Sequence, residues 1–371
     1  MRFFKEDLLY ENILVEMLAK EEIYSTSENR IALSMLYYCE KKILDFFNIR
    51  KDSKNKKIID SFDEYLEKKQ KTLGFTLSSE QQKAVELINS GEKTLFLIGY
   101  AGTGKSTSSR AILELLEEIV SYDDIIAIAL SGIASQRISD TTGYNASTIQ
   151  SLLVKHKEKD FFPYKVILLD EASMVNSVTF AQIISKISDD TIFIIVGDDG
   201  QLPAIGAGNI LADSIKYELA PICKLTKIYR QNENQAIAVI ANDIRKGELP
   251  NYKEEYEDFK FVDVSIGNYY SMKNSLSQNE FSDMRGENSD YILNNILNIA
   301  SNYIQNYYDF IKEKNIGKAL TLFQVITPMK GGVLGVENLN IELQRLFNHT
   351  KNRSLKIKDI EYKLTDKVIH I

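Results

Sequence analysis

Apolar residues recur every three or four positions through the first 75 residues, then give way after Leu77 to short continuous apolar runs separated by polar turns. Leu8, Leu9, Ile13, Leu14, Met17 and Leu18 predict one helix. Ile31, Leu33, Leu36, Ile43 and Phe47 predict a second over Ser27 to Phe47, and a third is expected over Ile58 to Lys71. Between the last two, Arg50 to Lys57 (RKDSKNKK) reads as a linker or exposed turn. The runs Leu95–Ile98, Ile125–Leu130, Lys165–Leu169 and Thr191–Val196 have the length of buried strands, each followed by a polar turn. Strand, turn and helix in alternation predict an α/β fold: a parallel sheet with helices on both faces. From Asn251 to Ser289 the chain is polar and irregular. A short strand is expected over Phe259–Val264, and Gly267–Asn288 reads as a mobile surface insertion. A helix is expected from Tyr291 to Lys314, with Tyr303, Tyr307 and Tyr308 favoured as core over base-stacking groups. A strand over Ala319–Ile326 follows. Three regions result: 1–75, 76–245 and 246–371.

Composition narrows this picture modestly. The 371 residues, 44% apolar and 26% charged, allow a large core and two or three domains. A net charge of −7 argues against a generally basic nucleic-acid binder but leaves room for a locally basic groove. Cys39 and Cys223 are far apart and suit a reducing cytosol, so a cytoplasmic protein is expected. Together with His156, His349 and His370 they show no metal-ligand spacing. The N-terminus lacks a signal-peptide pattern, and no apolar run is long enough to span a bilayer.

The chemistry centres on TLFLIGYAGTGKST, Thr94 to Thr107. Gly99, four residues, then Gly104–Lys105–Ser106 fits the phosphate-loop spacing G-x-x-x-x-G-K-[ST]. Polyphosphate needs backbone N–H donors at close range, and Gly99, Gly102 and Gly104 keep side chains out of the way. With Thr103 and Thr107 they form the expected cradle; Lys105 reaches the β- and γ-phosphates, and the Ser106 hydroxyl serves Mg²⁺. A helix over Lys105–Val120 directs its positive end at the anion. Ahead of the loop, LSSEQQKAV places Ser78 and Gln81 as a capping box, or Gln81 as a partner for adenine; spacing leaves both open. Asp170 and Glu171 close a buried strand, where carboxylates are costly without a task. Asp170 fits the Mg²⁺ shell and Glu171 the attacking water. Gln201 is placed as a γ-phosphate sensor, and Arg230 as a cation stabilising transition-state charge.

In order, the motifs LSSEQ, GYAGTGKS, ALSGIASQRISDTTG, STIQSLL, LLDEASMV, VGDDGQLPAIGAG and IYRQ resemble the RecD-like branch of superfamily 1 helicases, and also relaxase-linked helicases of the TraA type. The likeness runs from Leu77 to Ile371 and includes ITPMKGGVLGVENLN. It implies RecA-like P-loop domains, the second incomplete, and ATP-driven 5′→3′ translocation on single-stranded DNA, in repair or recombination. By the same likeness Gln201 couples nucleotide state to DNA. Ser131, Gly132 and Thr148 face DNA in the first motor domain, and Thr327 and Lys330 are candidates for DNA phosphate in the second. Gln150 departs from the histidine usual there, and Val154–Pro163, with Phe161 and Phe162, sits where the family carries a strand-splitting pin. The later family motifs, including an arginine that completes the ATP site, fall beyond Ile371. The expectation is therefore a C-terminally truncated motor that binds ATP·Mg²⁺ but hydrolyses it slowly alone: either the chain is a fragment, or a protein partner supplies the missing half. The alternative is an ATP-gated single-stranded DNA-binding subunit of a nuclease or defence complex.

Overall fold

The computed structural model describes residues 3–25, 30–51, 53–227, 236–251, 256, 258–262, 278–348, 354–357 and 360–366. The chain divides into two compact units, Met1–Asn251 and Tyr252–Ile371.

The first unit opens with α1 (Phe3–Ala19), an antiparallel hairpin of β1 (Ile23–Ser25) and β2 (Ile31–Leu33), then α2 (Ser34–Lys51) and α3 (Phe62–Leu73). The hairpin occupies part of the span expected to be helical. Its strands are three residues each, too short for a period of two to show. Then follow α4 (Ser79–Asn89), β3 (Thr94–Gly99), α5 (Lys105–Leu116), β4 (Ile125–Ala129), α6 (Gly132–Thr142), β5 (Ala146–Thr148) and α7 (Ile149–Lys155). The unit closes with β6 (Val166–Leu169), α8 (Ser177–Ile184), β7 (Ile192–Gly197), α9 (Ile210–Lys216), β8 (Ile222–Leu225) and α10 (Ala236–Lys246). The six strands from β3 to β8 form one parallel sheet in the order β5-β4-β6-β7-β3-β8, a RecA-like P-loop arrangement.

Both faces of this sheet are covered, which is why its central strands are continuously apolar. Phe96, Ile98, Ile128, Leu169, Phe193 and Ile195 face one core, shared with α2, α7, α8 and α9. The alternate residues Leu95, Leu97, Ala127, Leu168 and Ile194 face the other, shared with α3 to α6. Phe47 of α2 lies 5.5 Å from Phe96 and 6.1 Å from Phe180 between ring centroids. Thus α2 belongs to the core beneath the sheet.

The basic stretch after Phe47 is exposed over most of its described residues, but its first residue is not. Arg50, only 6% exposed, is the last buried residue of α2. Its Nε donates to Thr94 Oγ1 (2.9 Å), one terminal nitrogen donates to Ser188 O (3.2 Å), and the other to Lys93 O (3.1 Å) and Thr191 O. These acceptors stand at the starts of β3 and β7, the end of the sheet away from the phosphate loop. Burial pulls the guanidinium down to about 10. Further on, Asn55 N donates to Gly91 O (2.8 Å), and Gly91 (φ 97°) has room only for a hydrogen, since a Cβ would overlap the Asn55 carbonyl.

The Val154–Pro163 connection folds back on the first unit. Phe162 is buried beside His156, Phe161 is exposed, and Lys186 Nζ donates to the carbonyls of His156, Lys157 and Lys159.

The second unit contains α11 (Gln278–Ser301), α12 (Ile304–Lys312), α13 (Ile316–Thr321), α14 (Val336–Phe347) and a hairpin of β9 (Ser354–Ile357) with β10 (Ile360–Lys363). Residues 278–288 are therefore helix, not loop; residues 267–277 lie outside the described residues. The helix expected over Tyr291–Lys314 is broken at Asn302–Tyr303 into α11 and α12. No strand forms over 258–262, and the segment expected to be a strand from Ala319 begins inside α13. Asn315 caps that helix by accepting from Lys318 N (3.3 Å), and a strand needs a neighbour that the described residues of this unit do not offer Leu322–Ile326. Tyr307 is core: it is buried against Phe347 and donates to Thr365 Oγ1 (3.2 Å).

Candidate nucleotide site

The site lies at the carboxyl ends of β3, β6 and β7, where a parallel sheet presents its loops together. β3 ends at Gly99, whose hypothetical Cβ would stand 2.5 Å from Thr103 Oγ1. Gly102 (φ 84°) and Gly104 (φ 86°) adopt the left-handed conformation that other residues resist. Thr103 is fully buried and donates its hydroxyl to Tyr100 O (2.8 Å). Gly104 ends the loop and α5 begins at Lys105, so the first N–H groups of α5 open into the loop. Ser106 and Thr107 occupy its first turn.

Lys105 turns back on the loop: its Nζ donates to Gly99 O (2.5 Å) and Tyr100 O (3.0 Å). Burial lowers its pKa, against the pull of Asp198, Glu171 and Asp170. Three carboxylates from the exits of β6 and β7 therefore act on one lysine. Asp170 is pushed up, first by burial and then by Glu171, with Lys105 and Arg137 opposing. Glu171 holds a left-handed backbone (φ 53°), a strained conformation for glutamate that the turn after β6 imposes. Gln201 Oε1 accepts from the Ser173 hydroxyl (3.1 Å), which joins the loop after β7 to the turn after β6.

Gln81 forms the capping box. Its Oε1 accepts from Ser78 N (2.9 Å), and its backbone N–H donates to Ser78 Oγ (3.2 Å). Its Nε2 also lies 3.5 Å from Gly104 O, so the amide abuts the phosphate loop. One position earlier, Glu80 accepts from Thr226 N (2.8 Å) and the Thr226 hydroxyl, tying α4 to the exit of β8. Arg230 lies outside the described residues.

Ser131 and Thr148 are helix caps. They accept from Ala134 N (3.2 Å) and Ser151 N (3.1 Å) and direct the starts of α6 and α7 toward the carboxyl edge of the sheet. A Cβ on Gly132 would meet open space, so the bare backbone there is not a packing requirement. Thr327 and Lys330 belong to the second unit, within a tight turn before α14: Thr327 Oγ1 donates to Leu334 O (2.7 Å), and Lys330 O accepts from Glu337 N (3.2 Å).

Sequence reading missed Tyr100, Asp198 and Arg245. The Arg245 guanidinium sits 3.8 Å above the Tyr100 ring and 3.7 Å from Asp198 Oδ2. Asp198 carried the same signal as Asp170, a carboxylate at the exit of a buried strand. Arg245 carried none, being one basic residue at the end of an amphipathic helix.

A family described as an AAA domain matches residues 76–265. The chain is 27% identical over 278 residues to the ATP-dependent RecD2 DNA helicase of Deinococcus radiodurans, across 73% of this chain and 33% of that protein. It is 31% identical over 202 residues to the ATP-dependent DNA helicase RRM3 of Saccharomyces cerevisiae, across 47% and 28%. With the RecBCD enzyme subunit RecD of Mycolicibacterium smegmatis it shares 27% over 205 residues, across 47% and 37%. The chain thus spans about a third of the length of these relatives.

Proposed function

Because the chain belongs to the AAA domain family, we propose that it is the ATP-hydrolysing motor of a RecD-like DNA helicase, drawing on ATP·Mg²⁺ to move along single-stranded DNA in the 5′→3′ direction. The observation that carries this is the convergence of Lys105, the open cradle at the start of α5, and the carboxylates Asp170, Glu171 and Asp198 at one sheet edge. Such an edge suits polyphosphate together with a cation that balances its acids.

The residues present fit Mg²⁺: a hydroxyl and a buried carboxylate are the oxygen donors it prefers. Ser106 and Asp170 would hold it, and once bound it would offset charge on the β- and γ-oxygens. Glu171 orients and deprotonates the attacking water. The loop N–H groups and Lys105 hold the phosphates, Gln201 reports the γ-phosphate through its tie to Ser173, and Arg230 offsets the developing charge. Gln81 is the candidate for adenine by its place against the loop at Gly104, and would exchange its capping-box bond to Ser78 for the base. Ser131, Gly132, Thr148, Thr327 and Lys330 form the DNA-facing set; the capped starts of α6 and α7 suit phosphate. A cytoplasmic location accompanies this reading, supported by the free thiols Cys39 and Cys223. Among the described residues no helix is long and apolar enough to cross a membrane.

The test is steady-state ATP hydrolysis with and without single-stranded DNA. Stimulation by DNA is the expected result. Turnover indifferent to DNA would sink the motor reading. ATP binding without turnover would fit either a motor lacking its second half or the ATP-gated DNA-binding subunit.

Asp170 makes a second prediction. A carboxyl with a raised folded pKa favours the fold while neutral, and that contribution is lost as pH rises through the raised value. The ionised form is the one that holds a cation. The melting-temperature gain from Mg²⁺ with ADP should therefore shrink as pH falls toward the carboxylate range, and Asp170→Asn should reduce that dependence, leaving the part due to the nucleotide's own phosphate. An unchanged pH dependence in the variant would remove Asp170 from the metal site.

A further inference from the structure

Arg245 stands in a socket built for it. Its guanidinium lies flat on the Tyr100 ring at 3.8 Å, and one terminal nitrogen is 3.7 Å from Asp198 Oδ2. A Cβ on Gly200 would lie 2.3 Å from Arg245 Nε, so the glycine makes the space the guanidinium occupies. That Nε is buried and has no hydrogen-bond partner among the described residues. Asp198 is 1% exposed, and its other oxygen accepts from Gly200 N (2.9 Å). The neighbouring Asp199 is engaged elsewhere, with Lys224 Nζ at 2.8 Å, which leaves Asp198 to Arg245.

The consequence concerns Lys105. Asp198 exerts the largest attraction on it of any carboxylate at the site. A buried carboxylate without a partner beside a lysine takes that lysine as its counterion, and Lys105 could then not serve a phosphate. Arg245 supplies the counterion instead. By stacking on Tyr100, whose carbonyl accepts from both Lys105 and Thr103, it also braces the loop that presents the lysine.

We propose that Arg245 is a positioning residue of the nucleotide site, which neutralises Asp198 and so keeps Lys105 available to the polyphosphate. This rests on the nucleotide-binding reading above.

The experiment is calorimetric titration of the 371-residue chain with a non-hydrolysable ATP analogue and Mg²⁺. Arg245→Gln should weaken binding about tenfold, the effect of one unbalanced charge on a competing lysine. Adding Asp198→Asn to that variant should restore affinity to within about threefold of the unaltered chain, because the competitor is gone. A merely structural arginine would give no such rescue. Binding by Arg245→Gln equal to the unaltered chain, or a double variant no better than the single one, overturns the proposal. Should Arg245→Gln fail to fold, Arg245→Lys takes its place: it keeps the charge that balances Asp198 but not the stack on Tyr100, so binding should fall by less than about tenfold, and a tenfold loss there also overturns it. Lys105→Ala separates the two levels. If the unaltered chain binds no better than Lys105→Ala, the nucleotide reading itself has failed; if it does bind better and Arg245→Gln changes nothing, only the role of Arg245 has.

Discussion

Replacing Lys105 with alanine is expected to lower ATP turnover by about 10²–10³-fold, the range for removing one preorganised charge from a phosphoryl-transfer site. The reason is specific to this loop. Lys105 Nζ is already held at its mouth by two carbonyl oxygens, and burial weakens its hold on its proton while three carboxylates strengthen it. The result is a half-buried amine whose attraction for phosphate is less screened than in open water. Alanine leaves Asp170, Glu171 and Asp198 facing polyphosphate with no lysine between them, so nucleotide affinity should fall along with turnover. Steady-state kinetics and direct titration read the two effects separately. Turnover within tenfold of the unaltered chain would show that hydrolysis occurs elsewhere.

Arg50→Leu is expected to cost the first unit about 3–5 kcal/mol, from removing the one cation that satisfies several buried acceptors. The Thr94 hydroxyl and the carbonyls of Lys93, Thr191 and Ser188 would lose the arginine's bonds, Lys93 O keeping only Phe193 N and Ser188 O only Thr191 N, and leucine replaces none of them. For a unit of this size the melting temperature should drop on the order of 10 °C. Affinity for nucleotide in the folded protein should stay near that of the unaltered chain, because Arg50 grips the starts of β3 and β7 and the phosphate loop lies past their ends. Thermal melts and titration at low temperature test both halves. A drop of about 2 °C or less would mean that water satisfies those acceptors equally well.

Much of the first unit was legible in the sequence. Continuous apolar runs marked the four central strands because helices cover both faces of the sheet, and period and length carry that information. Glycine spacing marked the phosphate loop because only glycine tolerates the left-handed turns at 102 and 104. The spacing of Ser78 and Gln81 offered the capping box as one of two readings, and the box forms. What stayed hidden was long-range. RKDSKNKK looked like a linker because charge implies solvent, and only the tertiary arrangement shows five acceptors waiting for Arg50. Phe162 entered the core where its neighbour Phe161 did not, a difference two adjacent aromatics cannot announce. In the second unit, an apolar stretch after Asn315 fits helix and strand equally by hydropathy, and the cap decided for helix.

The order of the strands also sets a sequence of events. β3 lies between β7 and β8, with Thr94 opposite Phe193 and Phe96 opposite Ile222. The strand that carries the phosphate loop is thus made early by the ribosome but can be hydrogen-bonded on both edges only once Leu225 has emerged, well over a hundred residues later. Until then its β8 edge is unpaired. Pairings this distant in sequence are slow to close. Nucleotide recognition is therefore a property the nascent chain acquires all at once and late, when β8 locks into place, and not one that grows with the helix and loop that bear its motif.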